Sequence, residues 1–195
     1  IQPDTSYRVS YFDEALIRQD VANAKNVSDV VIVSAHWGDE NTQEVNEMQR
    51  TYAQLFADLE VDVVIGTHPH ILQPIEWVTG ANQNQTLVVY SLGNFIAHSL
   101  TDYNMLGGMV TFDFIVADDD NVTVENVHFE PTVSHYLADP GNVENSRRDF
   151  KIYKLEDYSE QLASEHGLNG YEGLEITPNN YLSIAKNVIP AEMLE

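Results

Sequence analysis

The chain has 195 residues, 43% of them hydrophobic, which is enough for one domain with a proper core. Its 31 Asp and Glu against 9 Lys and Arg give a formal charge of -22. That charge argues against nucleic acid or an anionic membrane as partner, because neutralising phosphates takes Lys and Arg. There is no cysteine, which excludes a disulfide framework and thiolate metal sites, and no apolar run reaches the ~18 residues of a membrane span.

The opening stretch, IQPDTSYRVSYFDEAL, lacks an initiator Met and shows no strand–turn unit ahead of the first helix. The chain therefore reads as a piece of a longer polypeptide. From Tyr11 to Ala24 the spacing is helical, with Phe12, Leu16, Ile17 and Val21 on one stripe. Asp29 to Ala35 (DVVIVSA) follows as a continuous apolar run, the pattern of a strand buried on both faces. Helical spacing returns from Thr42 to Leu59, through Val45, Met48, Tyr52, Leu55 and Phe56, and Val61 to Ile65 is a second buried strand. Strand, helix and strand in this order predict a βαβ unit with parallel pairing.

Beyond it, Ile71–Val78, Thr86–Ser91, Gly108–Val116 and Asn121–Phe129 are β-branched runs, and ADDDN (Ala117 to Asn121) predicts a hairpin turn between the last two. The residues from about Thr132 onward are more polar and predict mostly irregular structure, with short helices near Leu155–His166 and Asn179–Asn187. The expected organisation is one body at 1–131 and an extension at 132–195 packing on it.

Three stretches share a design in which a buried strand runs straight into small or polar residues: VVIVSAHWGDE, VDVVIGTHPH and TLVVYSLGNF. Ligands of α/β sheets bind at the carboxyl ends of the strands, so His36, His68, His70 and Asn94 are placed to meet. Gly66 is expected to permit a tight bend that lets His68 and His70 approach from one loop. Imidazole suits Zn, Mn and Fe, although a histidine after a strand is also an ordinary hydrogen-bonded loop residue. Glu40 reads either as a solvated loop acid or as the group orienting His36. His98, His128, His135 and His166 show no partnering pattern and read as structural or surface residues. Asp118 to Asp120 lacks the spacing of a calcium loop.

At VIVSAHWGDE, VVIGTHPHILQPIE and VVYSLGNF, in this order, the chain resembles the bacterial poly-γ-glutamate capsule biosynthesis (CapA) family of the calcineurin-like metallophosphoesterase superfamily. FKIYKLEDYSEQLASEHGL is similar to the tail of Gram-positive members. The resemblance implies an α/β sandwich of two central sheets flanked by helices, with a dinuclear site of divalent ions (Mn, Zn or Fe) at the strand ends. It implies that His36 and His68 ligate one ion and His70 the other, with Gly93 and Asn94 beside them. The superfamily's earlier motifs, which carry the bridging aspartate and an Asn-His pair, have no counterpart in Ile1 to Ala24. The missing N-terminal half of the same protein is thus an expected partner, as is a phosphoester or capsular polymer substrate.

The expected function is that of a capsule-synthesis protein with a metal-dependent phosphoesterase-like site, incomplete in this segment. It would act at the bacterial cell surface, anchored through the absent region. The alternative is a non-catalytic surface component for binding or polymer export. A carbohydrate-binding module would account for Trp37, Trp77 and the tyrosines but not for the ordered histidine motifs.

Overall fold

The computed structural model describes residues 10–118 and 121–194. Helix α1, Glu14–Lys25, starts where the Asp13 carboxylate accepts the Leu16 N–H at 3.0 Å. Strand β1 is Ile32–His36, helix α2 is Glu47–Asp58 and strand β2 is Val63–Thr67. The two strands pair in parallel from Ile32↔Val63 to His36↔Thr67, as the βαβ reading predicts. Helix α2 starts later than its periodicity suggests. A capping box between Asn46 and Gln49 sets its first turn, and Thr42 to Val45 stay in the preceding loop.

Strands β3 (Ile75–Thr79) and β4 (Gln85–Val89) form an antiparallel hairpin, and β4 also lies parallel to β2, giving a four-stranded sheet of order β1-β2-β4-β3. A second, antiparallel sheet has the order β5-β6-β7, built from Leu106–Val116, Val122–Leu137 and Arg148–Lys154. The β5–β6 ladder runs out to Val116↔Val122, with the Ala117 N–H donating to Asn121 O at 2.8 Å. This closes the predicted hairpin, and its Asp119 and Asp120 lie outside the described residues. Short helices α3 (Val143–Ser146) and α4 (Glu160–Glu165) and the longer α5 (Pro178–Val188) complete the chain.

Side-chain alternation sorts the core into two layers. Val64, Val88 and Tyr90 point to one face of the first sheet and pack with Val21 of α1 and Ala53 and Phe56 of α2. Val63, Leu87 and Val89 point to the other face, where they meet Phe129, Val133 and Tyr136 of β6 and Tyr181 and Ala185 of α5. The result is an α/β sandwich of two sheets flanked by helices. The division expected at 131/132 falls inside β6, and the residues after it share this second core.

Three expectations are corrected. Strand β1 is not buried on both faces: among the described residues it is the edge of its sheet, and Ile32 is 52% exposed. The region after Thr132 is not mostly irregular, since β6 continues to Leu137 and β7 pairs with it antiparallel. The predicted Leu155–His166 helix is broken: a 3-10 turn at Leu155–Asp157 precedes α4, which Ser159 caps by accepting the Leu162 N–H at 3.2 Å. Among the described residues no helix is long and apolar enough to cross a membrane.

Candidate metal centre

Because β1 and β2 are parallel and in register, their last residues, His36 and Thr67, emerge side by side at one edge of the sheet. The chain after β2 turns sharply. His68 has φ 100° and His70 φ 63°, so two non-glycine residues sit in the left-handed region, at roughly 1–3 kcal/mol each. The loop after β1 turns on Gly38 (φ 84°) and Asn41 (φ 60°), and the Asn41 N–H donates to Pro69 O at 2.8 Å. The two loops are thereby stitched together above the strand ends.

The three imidazoles meet there. The ring centres of His36 and His68 are 4.6 Å apart, and those of His68 and His70 6.2 Å. Donor atoms of Glu40, His68 and His70 all lie within 4.8 Å of one another, the only group of three or more such residues among those described. Glu40 stands with the His68/His70 pair, and His36 Nδ1 faces Thr67 Oγ1 at 3.4 Å. Glu40, His36 and His70 are exposed and His68 is half-buried, so the cluster opens to solvent. Two imidazoles and a carboxylate match the donor preferences of Mn, Zn and Fe.

Asn94 lies at the same edge, its Oδ1 2.9 Å from His70 Nδ1. The Gly93 backbone (φ 68°) bridges to Gly107 at the start of β5, and a Cβ at Gly107 would lie 2.2 Å from Asn94 O. Only glycine there allows the Asn94 loop to lie against the second sheet. Gly66 acts otherwise than expected. It belongs to β2 itself, paired with Ala35, and what it permits is a close approach from below: Trp37 Nε1 donates to Tyr90 O at 3.0 Å directly under its Cα.

Sequence reasoning missed the polar residues that hold these loops. Gln49 and Gln73, both fully buried, bond side chain to side chain at 2.8 Å. Gln73 Nε2 also donates to the carbonyls of Thr42 and Glu44, each at 3.0 Å, fixing the end of the loop that carries Glu40. Asn104, 6% exposed, donates to Asn41 Oδ1 at 3.0 Å, 63 positions away in sequence. The one available signal was a polar residue inside an apolar run. Substituting Gln73→Leu strands two carbonyls and the Gln49 amide, and is expected to cost about 2 kcal/mol in urea unfolding. A loss below about 0.5 kcal/mol would mean that water replaces these bonds.

Residues 2–99 match the family described as bacterial capsule synthesis protein PGA_cap. The chain belongs to that family. The PGA_cap match takes in both histidine loops and Asn94. Over 76 residues the chain is 41% identical to the PGA biosynthesis protein CapA of Bacillus subtilis (strain 168), covering 39% of this chain and 19% of that protein. Over 72 residues it is 35% identical to the capsule biosynthesis protein CapA of Bacillus anthracis, covering 37% and 16% respectively. The matched segment thus spans less than a fifth of either relative's length.

Proposed function

We propose that this PGA_cap chain contributes Glu40, His68 and His70, with His36 beside them, to a divalent-cation site at which the longer protein performs metallophosphoesterase-like chemistry in capsule synthesis. The observation that carries the reading is the mutual approach of three donor side chains within 4.8 Å at the carboxyl ends of parallel strands. A bound cation supplies Lewis acidity toward a phosphoryl oxygen. The chain's own part is to hold the donors, orient a phosphoester or a phosphate-bearing capsular polymer at the open edge, and keep His36 in reach of a leaving group as proton donor. The proposed setting is the cell surface.

Neutral imidazoles and one carboxylate leave part of a divalent charge uncompensated, so affinity in this chain is expected to be modest. A second ion and its carboxylates would come from other parts of the longer protein. Calorimetric titration with Mn²⁺ and with Zn²⁺ tests the site. Glu40→Gln, His68→Ala and His70→Ala should each weaken binding tenfold or more, about 1.4 kcal/mol. Binding unchanged in all three sinks the assignment. The single carboxylate of the cluster also supports a second reading, a binding or export component that holds a cation without turnover. Hydrolysis of a chromogenic phosphodiester by the longer protein, abolished by His68→Ala, decides for the enzyme.

A further inference from the structure

A histidine offers a metal one nitrogen, and which one depends on where the other nitrogen's proton goes. At His70 that choice is legible in the neighbouring amide. Asn94 Oδ1 lies 2.9 Å from His70 Nδ1, while Asn94 Nδ2 lies 3.2 Å from the carbonyl oxygen of Asn104. A carbonyl accepts only, so the amide nitrogen must face Asn104. The opposite orientation would set two oxygens against each other. Asn94 Oδ1 therefore faces His70, and an amide oxygen accepts only, so Nδ1 must carry the proton and Nε2 the free lone pair.

Asn104 is itself fixed. Its Nδ2 donates to Asn41 Oδ1 at 3.0 Å and lies 3.4 Å from His70 O, and its Oδ1 accepts the Thr101 hydroxyl. The two amides thus join the Asn94 loop, the histidine turn and the loop carrying Glu40. All of these bonds form within the chain itself.

We infer that Asn94 is a positioning residue, which holds His70 as the Nδ1–H tautomer so that its Nε2 lone pair is presented to a cation alongside Glu40 and His68. The relevance to a cation rests on the function proposed above, but the tautomer can be read without any metal.

The test is the long-range ¹H–¹⁵N spectrum of the histidine rings in the metal-free chain at mildly alkaline pH, with His70 assigned through its absence in His70→Gln. An internal reference is available. His166 Nδ1 accepts the Leu168 N–H at 3.0 Å and Nε2 donates to Ser134 O at 3.1 Å, so a folded chain must show His166 as the Nε2–H tautomer. The wild-type chain should show His70 as Nδ1–H. Asn94→Ala should release it toward Nε2–H while His166 is unchanged, and Asn94→Asp should keep it, since its carboxylate still accepts from Nδ1–H although it loses the bond to Asn104 O. Zn²⁺ affinity should fall about 10–100-fold in Asn94→Ala and recover most of that in Asn94→Asp. His70 as Nε2–H in the wild-type chain, or an unaltered His70 in a folded Asn94→Ala chain, overturns the inference. Should Asn94→Ala not fold, the wild-type and Asn94→Asp spectra still decide it. A wild-type chain that binds no Zn²⁺ yet shows the Nδ1–H tautomer overturns only the proposed function.

Discussion

Replacing Gly66 with alanine is expected to destabilise the fold by about 3 kcal/mol, the upper end of what overpacking a well-filled core costs. A Cβ on Gly66 would lie 2.0 Å from Tyr90 O, 2.3 Å from Trp37 Nε1 and 2.7 Å from Tyr90 C. Two of these neighbours are backbone atoms that follow β4 directly, and β4 is held between β2 and β3. The strand can retreat from the Cβ only by straining its ladder, and the indole must leave as well. Trp37 is 1% exposed and its Nε1–H has Tyr90 O as partner, so displacing it loses both burial and a hydrogen bond. Gly66 also stands two residues before His68, and the strain would reach the histidine turn. Urea unfolding of Gly66→Ala, followed by circular dichroism, measures the effect. The double variant Gly66→Ala/Trp37→Phe should not recover, because the collision with Tyr90 O survives loss of the indole. Full stability in Gly66→Ala would show that the β2–β4 spacing is wider than described.

Where local pattern and tertiary role coincide, the elements could be read from the residues. DVVIVSA and VDVVI are strands, the stripe through Tyr52, Leu55 and Phe56 is a helix, and their order dictates parallel pairing. Pattern could not show that β1 is a sheet edge, since an apolar run looks the same with one neighbour or two. Strand β7 was hidden for the opposite reason. RDFKIYK carries four charges among seven residues and becomes a strand only by pairing with β6. Pro131 disguised the length of β6 by resembling a breaker. It sits just beyond the end of the β7 pairing, which begins at Thr132, so on that side its missing N–H leaves no partner unsatisfied.

The candidate site divides along the same line. His36, His68, His70 and Asn94 were legible because each lies at or within a few residues of the carboxyl end of a strand, and the place where parallel strands end is fixed by topology. Glu40 was visible as a loop acid near the site, but its approach to His68 and His70 could not be read, because the path of its loop depends on Gly38, Asn41 and the Gln73 amide. Asn41 and Asn104 meet from 63 positions apart, which no spacing rule anticipates. Gly66 could be marked as necessary from sequence, but the reason lies in Trp37 and Tyr90, which only packing brings beneath it.

Acid should destabilise the chain through His166, by about 3 kcal/mol between neutrality and pH 4. Burial pushes this imidazole from its ordinary 6.5 down to about 4, the Ser134 carbonyl partly opposing and His135 adding to the effect. Both ring nitrogens are engaged in the neutral form, so a proton on Nδ1 would face the Leu168 N–H. His135, its ring 5.1 Å away, is also shifted down by burial, against Glu165 and with Lys151, and its Nδ1 lies 2.9 Å from the Tyr158 hydroxyl. Because the folded value lies below the unfolded one, the unfolded chain binds the proton first. Stability is fully present above about pH 6.5 and falls as pH drops toward 4, at up to about 1.4 kcal/mol per unit for one histidine. The many carboxylates contribute their own slope, so a single pH profile does not isolate this one. His166→Gln does, since glutamine can donate to Ser134 O and accept from Leu168 without titrating. Urea unfolding at about pH 7 and about pH 5 should show the wild-type chain losing about 2 kcal/mol more than the variant. Equal losses would mean that His166 takes its proton without leaving the core. Ser134, whose carbonyl holds His166, also binds Ala97 through its hydroxyl at 2.9 and 3.2 Å. Disturbing Ser134 therefore loosens the segment that follows Asn94, and acid should weaken the site loop before it unfolds the sheets.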